Sequence, residues 1–265
     1  MLFVLVSILA VYLALAAVLT LTQGRIIYPA PTGPGSAPAG FERVTYETSN
    51  GLKLAAGYRA ARAGYPTILY FHGNGADWQS SVIATDRLVP EGYGVLAAEY
   101  RGYRGNPGRP SEAGLYRDGR AAVAWLAGQG VPPARTVVIG NSIGAGVATR
   151  VARETQPAAL ILISPFSSLT RLAREKAWWL PTGLLLRDRY DNAAALPAVE
   201  SPVLILHGDA DSLIPAAHAR RLAETRPGTE LVIVRGAGHE LAWLPEAERH
   251  ALAFIERVVP QGEDL

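Results

Sequence analysis

The chain has 265 residues, 49% of them hydrophobic, a formal net charge of +2 and no cysteine. That length suits a single sizeable α/β core, and a near-neutral balance without a basic run interleaved with aromatics argues against a nucleic-acid partner. The lack of cysteine excludes disulfides, a thiol nucleophile and thiolate metal ligands.

The chain starts with its most apolar stretch, LFVLVSILAVYLALAAVLTLT at 2–22, which carries no charge. About 20 apolar residues rising ~1.5 Å each match the ~30 Å hydrocarbon core of a bilayer. A cleaved signal peptide would show a basic n-region and a shorter apolar run of about 7–15 residues. A buried core helix would show a polar face. Residues 1–23 are therefore predicted to be a single-pass anchor with the lipid bilayer as partner. Only Arg25 flanks the run closely, so the side of the membrane stays open. Residues 24–40 follow, with PAPTGPGSAPAG at 29–40, and read as a Pro/Gly-rich tether.

From 41 to 265 the pattern is that of a folded domain. FERVTYETSNGLKLAAGYRA (41–60) gives two strand-like runs around Ser-Asn-Gly, a hairpin signal. Short apolar strands then alternate with helical stretches. The strands are PTILYFHG (66–73), YGVLAAEYRG (93–102), TVVIGNS (136–142), AALILISP (158–165), PVLILHG (202–208) and ELVIVRG (230–236). Helices are expected near 77–89, 111–128, 143–155, 215–225 and 245–258. Continuous Val/Ile/Leu runs mark strands covered on both faces. The sum is an α/β fold: a mostly parallel, eight-stranded sheet opened by an antiparallel hairpin, with helices on both faces. One interval breaks the rhythm. Residues 166–200 are longer than an ordinary connection and rich in Trp178, Trp179 and Leu184–Leu186. They fit either a small lid after the sixth strand or a crossover helix with a long surface loop.

In an open parallel sheet, ligands bind at the carboxyl ends of the strands. The residues there include Ser142, Asp209, Asp211 and His239, in the order Ser…Asp…His. Gly140-Asn-Ser142-Ile-Gly144 lies between a buried strand and a helix. Such a turn holds serine in a strained conformation, and its flanking glycines admit neighbouring backbone. It also puts Oγ at a helix N-terminus, where developing negative charge is favoured. Ser142 as a plain N-cap in a glycine turn would not account for an acid and a histidine following in loops after later strands. A free hydroxyl is a weak nucleophile and needs an adjacent base; His239, in RGAGHE, is the expected base. His72 and His207 precede glycines at strand ends and are expected to bond loop backbone, while His218 and His250 fall in helices as surface or packing residues. No Gly-Lys-Ser/Thr follows His72-Gly73-Asn74-Gly75, which excludes a P-loop. No His-Glu-x-x-His or other ligand spacing suggests a metal, and no cofactor is expected.

FHGNGAD (71–77), EYRGYRGNPGRPSEAGLYRDGRAAVAWL (99–126), GNSIGAGVA (140–148), HGDADSLIP (207–215) and GAGHE (236–240) together resemble an α/β-hydrolase. Within that fold they are similar to the membrane-anchored Bem46-like, ABHD13-type serine hydrolases. The resemblance runs from about residue 40 to the end, and the apolar start followed by RIIYP fits it too. It departs at Glu99, where an aspartate is expected. The resemblance implies Ser142 as nucleophile, His239 as base, and Asp211, more than Asp209, as the acid that orients the imidazole. It also implies an oxyanion hole made by the backbone N–H groups of Asn74 and Ile143. The expected activity is cleavage of carboxylic esters or thioesters of small molecules or lipids through an acyl-enzyme; the apolar anchor and the Trp178, Trp179 and Leu184–Leu186 segment suggest substrates with acyl chains, lipids or acylated proteins. A peptidase or amidase on the same residues, or a catalytically silent membrane scaffold, are the alternatives; a haloalkane dehalogenase would need Asp where Ser142 stands.

Overall fold

The computed structural model of the chain describes residues 1–33, 35 and 38–260. Residues 34, 36 and 37 of the expected tether, and 261–265 at the expected domain end, lie outside the described residues. Eight strands form one sheet: β1 (Glu42–Glu47), β2 (Lys53–Arg59), β3 (Thr67–Phe71), β4 (Gly94–Ala98), β5 (Thr136–Asn141), β6 (Ala159–Ile163), β7 (Val203–Gly208) and β8 (Glu230–Val234). Their spatial order is β1-β2-β4-β3-β5-β6-β7-β8. β1, β2 and β4 pair antiparallel, and every pair from β4 across to β8 is parallel. All residues of β3 to β7 are buried, as their unbroken Val/Ile/Leu composition requires.

The N-terminal helix α1 spans Leu2–Ile27. The stretch expected as one helix near 77–89 is two short ones, α2 (Trp78–Ile83) and α3 (Leu88–Glu91). The α4 (Glu112–Gly128) and α5 (Ile143–Thr155) helices occupy their expected positions. After β6 come α6 (Leu169–Lys176), α7 (Thr182–Leu185) and α8 (Asn192–Ala195), three short helices in place of one crossover helix. The chain closes with α9 (Ala217–Thr225) and α10 (Pro245–Val258).

From Tyr12 on, α1 does not stand free. Tyr12, Ala16, Leu19, Thr20, Gln23 and Ile27, one helical face by spacing, are less exposed than their neighbours. Tyr12 Oη donates to the Trp179 carbonyl (3.2 Å), and Gln23 Nε2 donates to that of Leu185 (3.1 Å) while its Oε1 accepts from the Arg187 N–H (2.8 Å). Tyr28, just past the helix, is buried, and its hydroxyl meets Asp188 (2.8 Å) and Tyr190 (2.9 Å).

The loop after β4 is locked to α4 by a buried ion pair. Arg101 donates Nη2 and Nε to Asp118 Oδ1 (2.7 and 2.9 Å), and its own N–H to Oδ2 (3.0 Å). Burial pushes the Asp118 carboxyl up, and these bonds only partly offset it. Breaking a buried pair from one side strands a charge at a cost of about 3–5 kcal/mol. Arg101→Met is expected to lose about that much in urea unfolding, and adding Asp118→Leu is expected to recover most of it.

Candidate active site

Between the last residue of β5 and the first of α5 stands Ser142, with φ 54° and ψ −116°. That left-handed φ is strained for any residue with a Cβ. Close packing enforces it. A Cβ on Gly140 would sit 2.5 Å from that of Ala148, and one on Gly144 would collide with the Phe71 carbonyl. The start of α5 thus presses directly onto the ends of β5 and β3, and Ser142 bridges the gap. Its N–H is held by the Ile163 carbonyl at the end of β6 (2.9 Å).

Two loops deliver the partners. His239 follows β8 in a short 3-10 turn (His239–Trp243), and its Nε2 lies 3.0 Å from Ser142 Oγ. Asp211 follows β7, and its Oδ2 lies 2.8 Å from His239 Nδ1. Asp211 Oδ1 accepts from the N–H groups of Leu213 (2.9 Å) and Ile214 (2.8 Å). Burial raises the Asp211 carboxyl, but the bonds from His239 and Ile214, with the nearby imidazoles, outweigh it and leave its pKa below the usual carboxylate value. Asp209 is spent elsewhere: Oδ1 accepts the Gly236 N–H (2.7 Å), tying the β7 loop to the β8 loop.

Asn74 and Ile143 line the cavity beside Ser142. Ile143 is the first residue of α5, so its N–H has no acceptor within the helix. The His72–Asn74 loop passes close over the serine, since a Cβ on Gly73 would lie 3.3 Å from that of Ser142.

The remaining histidines divide as follows. His207 Nε2 donates to the Ile214 carbonyl (2.8 Å), and burial holds its pKa down. His72 contacts the Gly73 carbonyl through Nδ1 (2.9 Å), the backbone bond expected of it, and through Nε2 it also meets Glu99 (2.7 Å). Glu99, in place of the expected aspartate, further accepts the Trp78 N–H (3.1 Å) and so anchors α2. His218 completes a second Ser–His–Glu array with Ser167 (2.9 Å) and Glu175 (3.0 Å). There the Nδ1 also accepts Ser167's own backbone N–H (3.1 Å), which makes the array a tie between α9 and the α6 region. Among the described residues no three His, Cys, Asp or Glu side chains converge as metal ligands would.

Ser142 opens into a cavity of about 370 Å³. Its walls are overwhelmingly apolar: Phe166, Leu169, Leu172, Leu180 and Leu185 come from the 166–200 segment, and Leu19 with Ile26 from α1. The helix-derived wall has no signature in the sequence, because a lipid-facing leucine and a pocket-facing leucine look alike.

The comparisons agree with this architecture. Residues 68–191 match the Alpha/beta hydrolase family. The human alpha/beta hydrolase domain-containing protein 17B is 32% identical over 204 residues, 72% of this chain and 67% of that protein. The chain belongs to the α/β-hydrolase family. An uncharacterized protein of Mycobacterium tuberculosis is 40% identical over 226 residues, 82% of this chain and 80% of that protein. In three dimensions a membrane phospholipase A described as a bacterial virulence factor superposes with a TM-score of 0.63 at 20% identity, covering 97% of this chain and 98% of that one.

The depressed Asp211 pKa has a consequence for this hydrolase's stability. A carboxyl lower in the folded than in the unfolded state stabilises the fold above its unfolded value, here near 3.8, and that contribution is lost as pH falls through the folded value. In Asp211→Asn, the unfolding free energy measured by denaturant titration is expected to fall less steeply below pH 3.8 than in the parent.

Proposed function

We propose that the chain is a membrane-anchored serine hydrolase that cleaves carboxylic ester or thioester bonds of acyl-chain-bearing lipids or proteins through an acyl-enzyme. The observation that carries this reading is the continuous bridge from Asp211 through His239 to Ser142 Oγ at 2.8 and 3.0 Å. In it, His239 Nε2 takes the Ser142 proton as Oγ attacks the acyl carbon, and Asp211 holds the ring with Nδ1–H toward itself and stabilises the imidazolium. The tetrahedral oxyanion is received by the N–H groups of Ile143 and Asn74. His239 then protonates the leaving alcohol or thiol, and a water activated by the same imidazole releases the acid. The residues themselves supply each of these steps.

The substrate class follows from the cavity. Its apolar walls beside Ser142 suit an acyl chain and offer little to a peptide backbone, which would bring polar groups without partners. The helix Leu2–Ile27 contains an 18-residue window of mean hydropathy 2.9 and is long enough to enter a bilayer. Similarity to a membrane phospholipase A points the same way. The narrower likeness to Bem46-like, ABHD13-type enzymes rests on the motifs at 71–77, 99–126, 140–148, 207–215 and 236–240 alone; the relatives support the broader α/β-hydrolase family, the 17B protein among them.

A fluorophosphonate probe followed by peptide mapping tests this reading. The expected result is an adduct on Ser142 that disappears in His239→Ala. Asp211→Asn is expected to lower kcat on a soluble ester by about 10⁴, with Asp209→Asn far less affected. Well-folded protein without an adduct, or an adduct on another serine, would sink the proposal.

A further inference from the structure

The way α1 meets the domain raises a geometric conflict with a simple membrane tether. The uncharged apolar run 2–22 passes through the Tyr12–Trp179 contact, and its second half, from Tyr12 to Leu21, lies beside the domain. That run is about as long as the ~30 Å hydrocarbon core is thick. While α1 stays docked, immersing the whole run carries the Trp179 region into lipid with it.

The surface at that level is built for this. Trp178 is 81% exposed and Trp179 40%, both on the connection before α7, and Leu184 within α7 is 86% exposed. The outer face of α1 continues the apolar surface, with Val18 and Leu21 exposed level with the cavity. Backbone groups of this rim, which lipid would leave unpaired at high cost, are matched by side chains of α1. Tyr12 serves the Trp179 carbonyl, and Gln23 serves the Leu185 carbonyl and the Arg187 N–H. In the same segment, 171–191, the five cations Arg171, Arg174, Lys176, Arg187 and Arg189 outnumber the three acids Glu175, Asp188 and Asp191. Trp at the interface and cations at headgroup level are the usual membrane-facing arrangement.

We propose that Trp178, Trp179 and Leu184, together with the outer face of α1, form a lipid-immersed rim in the proximal leaflet of an anionic membrane. The seam between α1 and α7 then opens the cavity sideways into the acyl-chain region. An acyl chain slides from the leaflet between Leu19 and Leu185 toward Ser142 without crossing water. The lipid substrate in this picture rests on the function proposed above; the immersed rim does not.

The test uses the full chain reconstituted in phosphatidylcholine vesicles containing phosphatidylglycerol, with bromine on the lipid acyl chains as a short-range tryptophan quencher. In a Trp243→Phe background, which removes the other exposed tryptophan, the rim predicts quenching that is largely lost in Trp178→Phe/Trp179→Phe, since Trp78 is buried and Trp125 half-buried in the domain. Equal quenching in parent and variant, or none in either, overturns the proposal; none would mean that α1 crosses alone or that a second copy covers the rim.

A second readout separates the two proposals. Trp178→Ala/Leu184→Ala, which leaves the cavity walls intact, is expected to keep turnover of a soluble short-chain ester. Turnover of a vesicle-borne lipid ester is expected to fall by about tenfold, the equivalent of ~1.4 kcal/mol of membrane affinity. Quenching without any turnover would keep the rim and remove the hydrolase reading. Turnover on soluble esters without quenching would do the reverse, and equal loss on both substrates would overturn the sideways route.

Discussion

The left-handed backbone at Ser142 is the constraint on which the site is built. A residue with a Cβ in that conformation costs on the order of 1–3 kcal/mol, and the cost is held in place because α5 has nowhere else to go. Gly140 and Gly144 let the helix start press against the ends of β5 and β3, and a side chain at either position would push it away. With the helix seated, Ser142 lines the cavity and the Ile143 N–H is left without a helical acceptor. The packing extends outward from there. The Tyr190 ring lies against Gly146, where a Cβ would collide with it, and its hydroxyl meets Tyr28 below α1. The strained turn and the N-terminal helix thus belong to one packed unit.

The second requirement is that two loops from neighbouring strands arrive in register. A Cβ on Gly208 would collide with the Ala237 carbonyl, so the loops after β7 and β8 touch backbone to backbone. The Asp209 N–H donates to Val234 (3.1 Å) and that of Ala210 to Ala237 (3.0 Å), while the Asp209 carboxylate caps Gly236. This stapling delivers His239 at hydrogen-bond distance from both Ser142 and Asp211. Two aspartates two residues apart therefore divide the labour: one holds the loops together and the other faces the imidazole.

Much of this was legible in the sequence because it rests on local rules. Unbroken Val/Ile/Leu runs identify β3 to β7, and Gly-x-Ser-x-Gly between strand and helix marks the turn. His239 and the Asp209/Asp211 pair stand out by their positions after later strands, and the family resemblance favours Asp211 of the two. What was not legible depends on tertiary choice. Residues 166–200 held no periodicity to decide between a crossover helix and a roof of short helices. The helix expected near 77–89 starts where Asp77 caps it, its side chain accepting from the Ser80 N–H (3.1 Å), but it breaks after Ile83 into tight turns, with the N–H groups of Thr85, Asp86 and Leu88 bonding three residues back. His218 is placed on α9 by the sequence, yet its burial between Ser167 and Glu175 depends on α6 folding over it. The largest gap is α1, whose composition matches lipid and pocket wall equally, so its stripe from Tyr12 to Ile27 is visible only once the domain is beside it.

The central claim is that Ser142, activated through His239, carries the acyl group. Rapid acid quench of the enzyme with an activated p-nitrophenyl ester, followed by peptide mass analysis, tests it most directly. The account predicts a burst of p-nitrophenol and a matching acyl group on the peptide that contains Ser142. Turnover of the ester with no acyl group on Ser142, or with the acyl group on another residue, would contradict it.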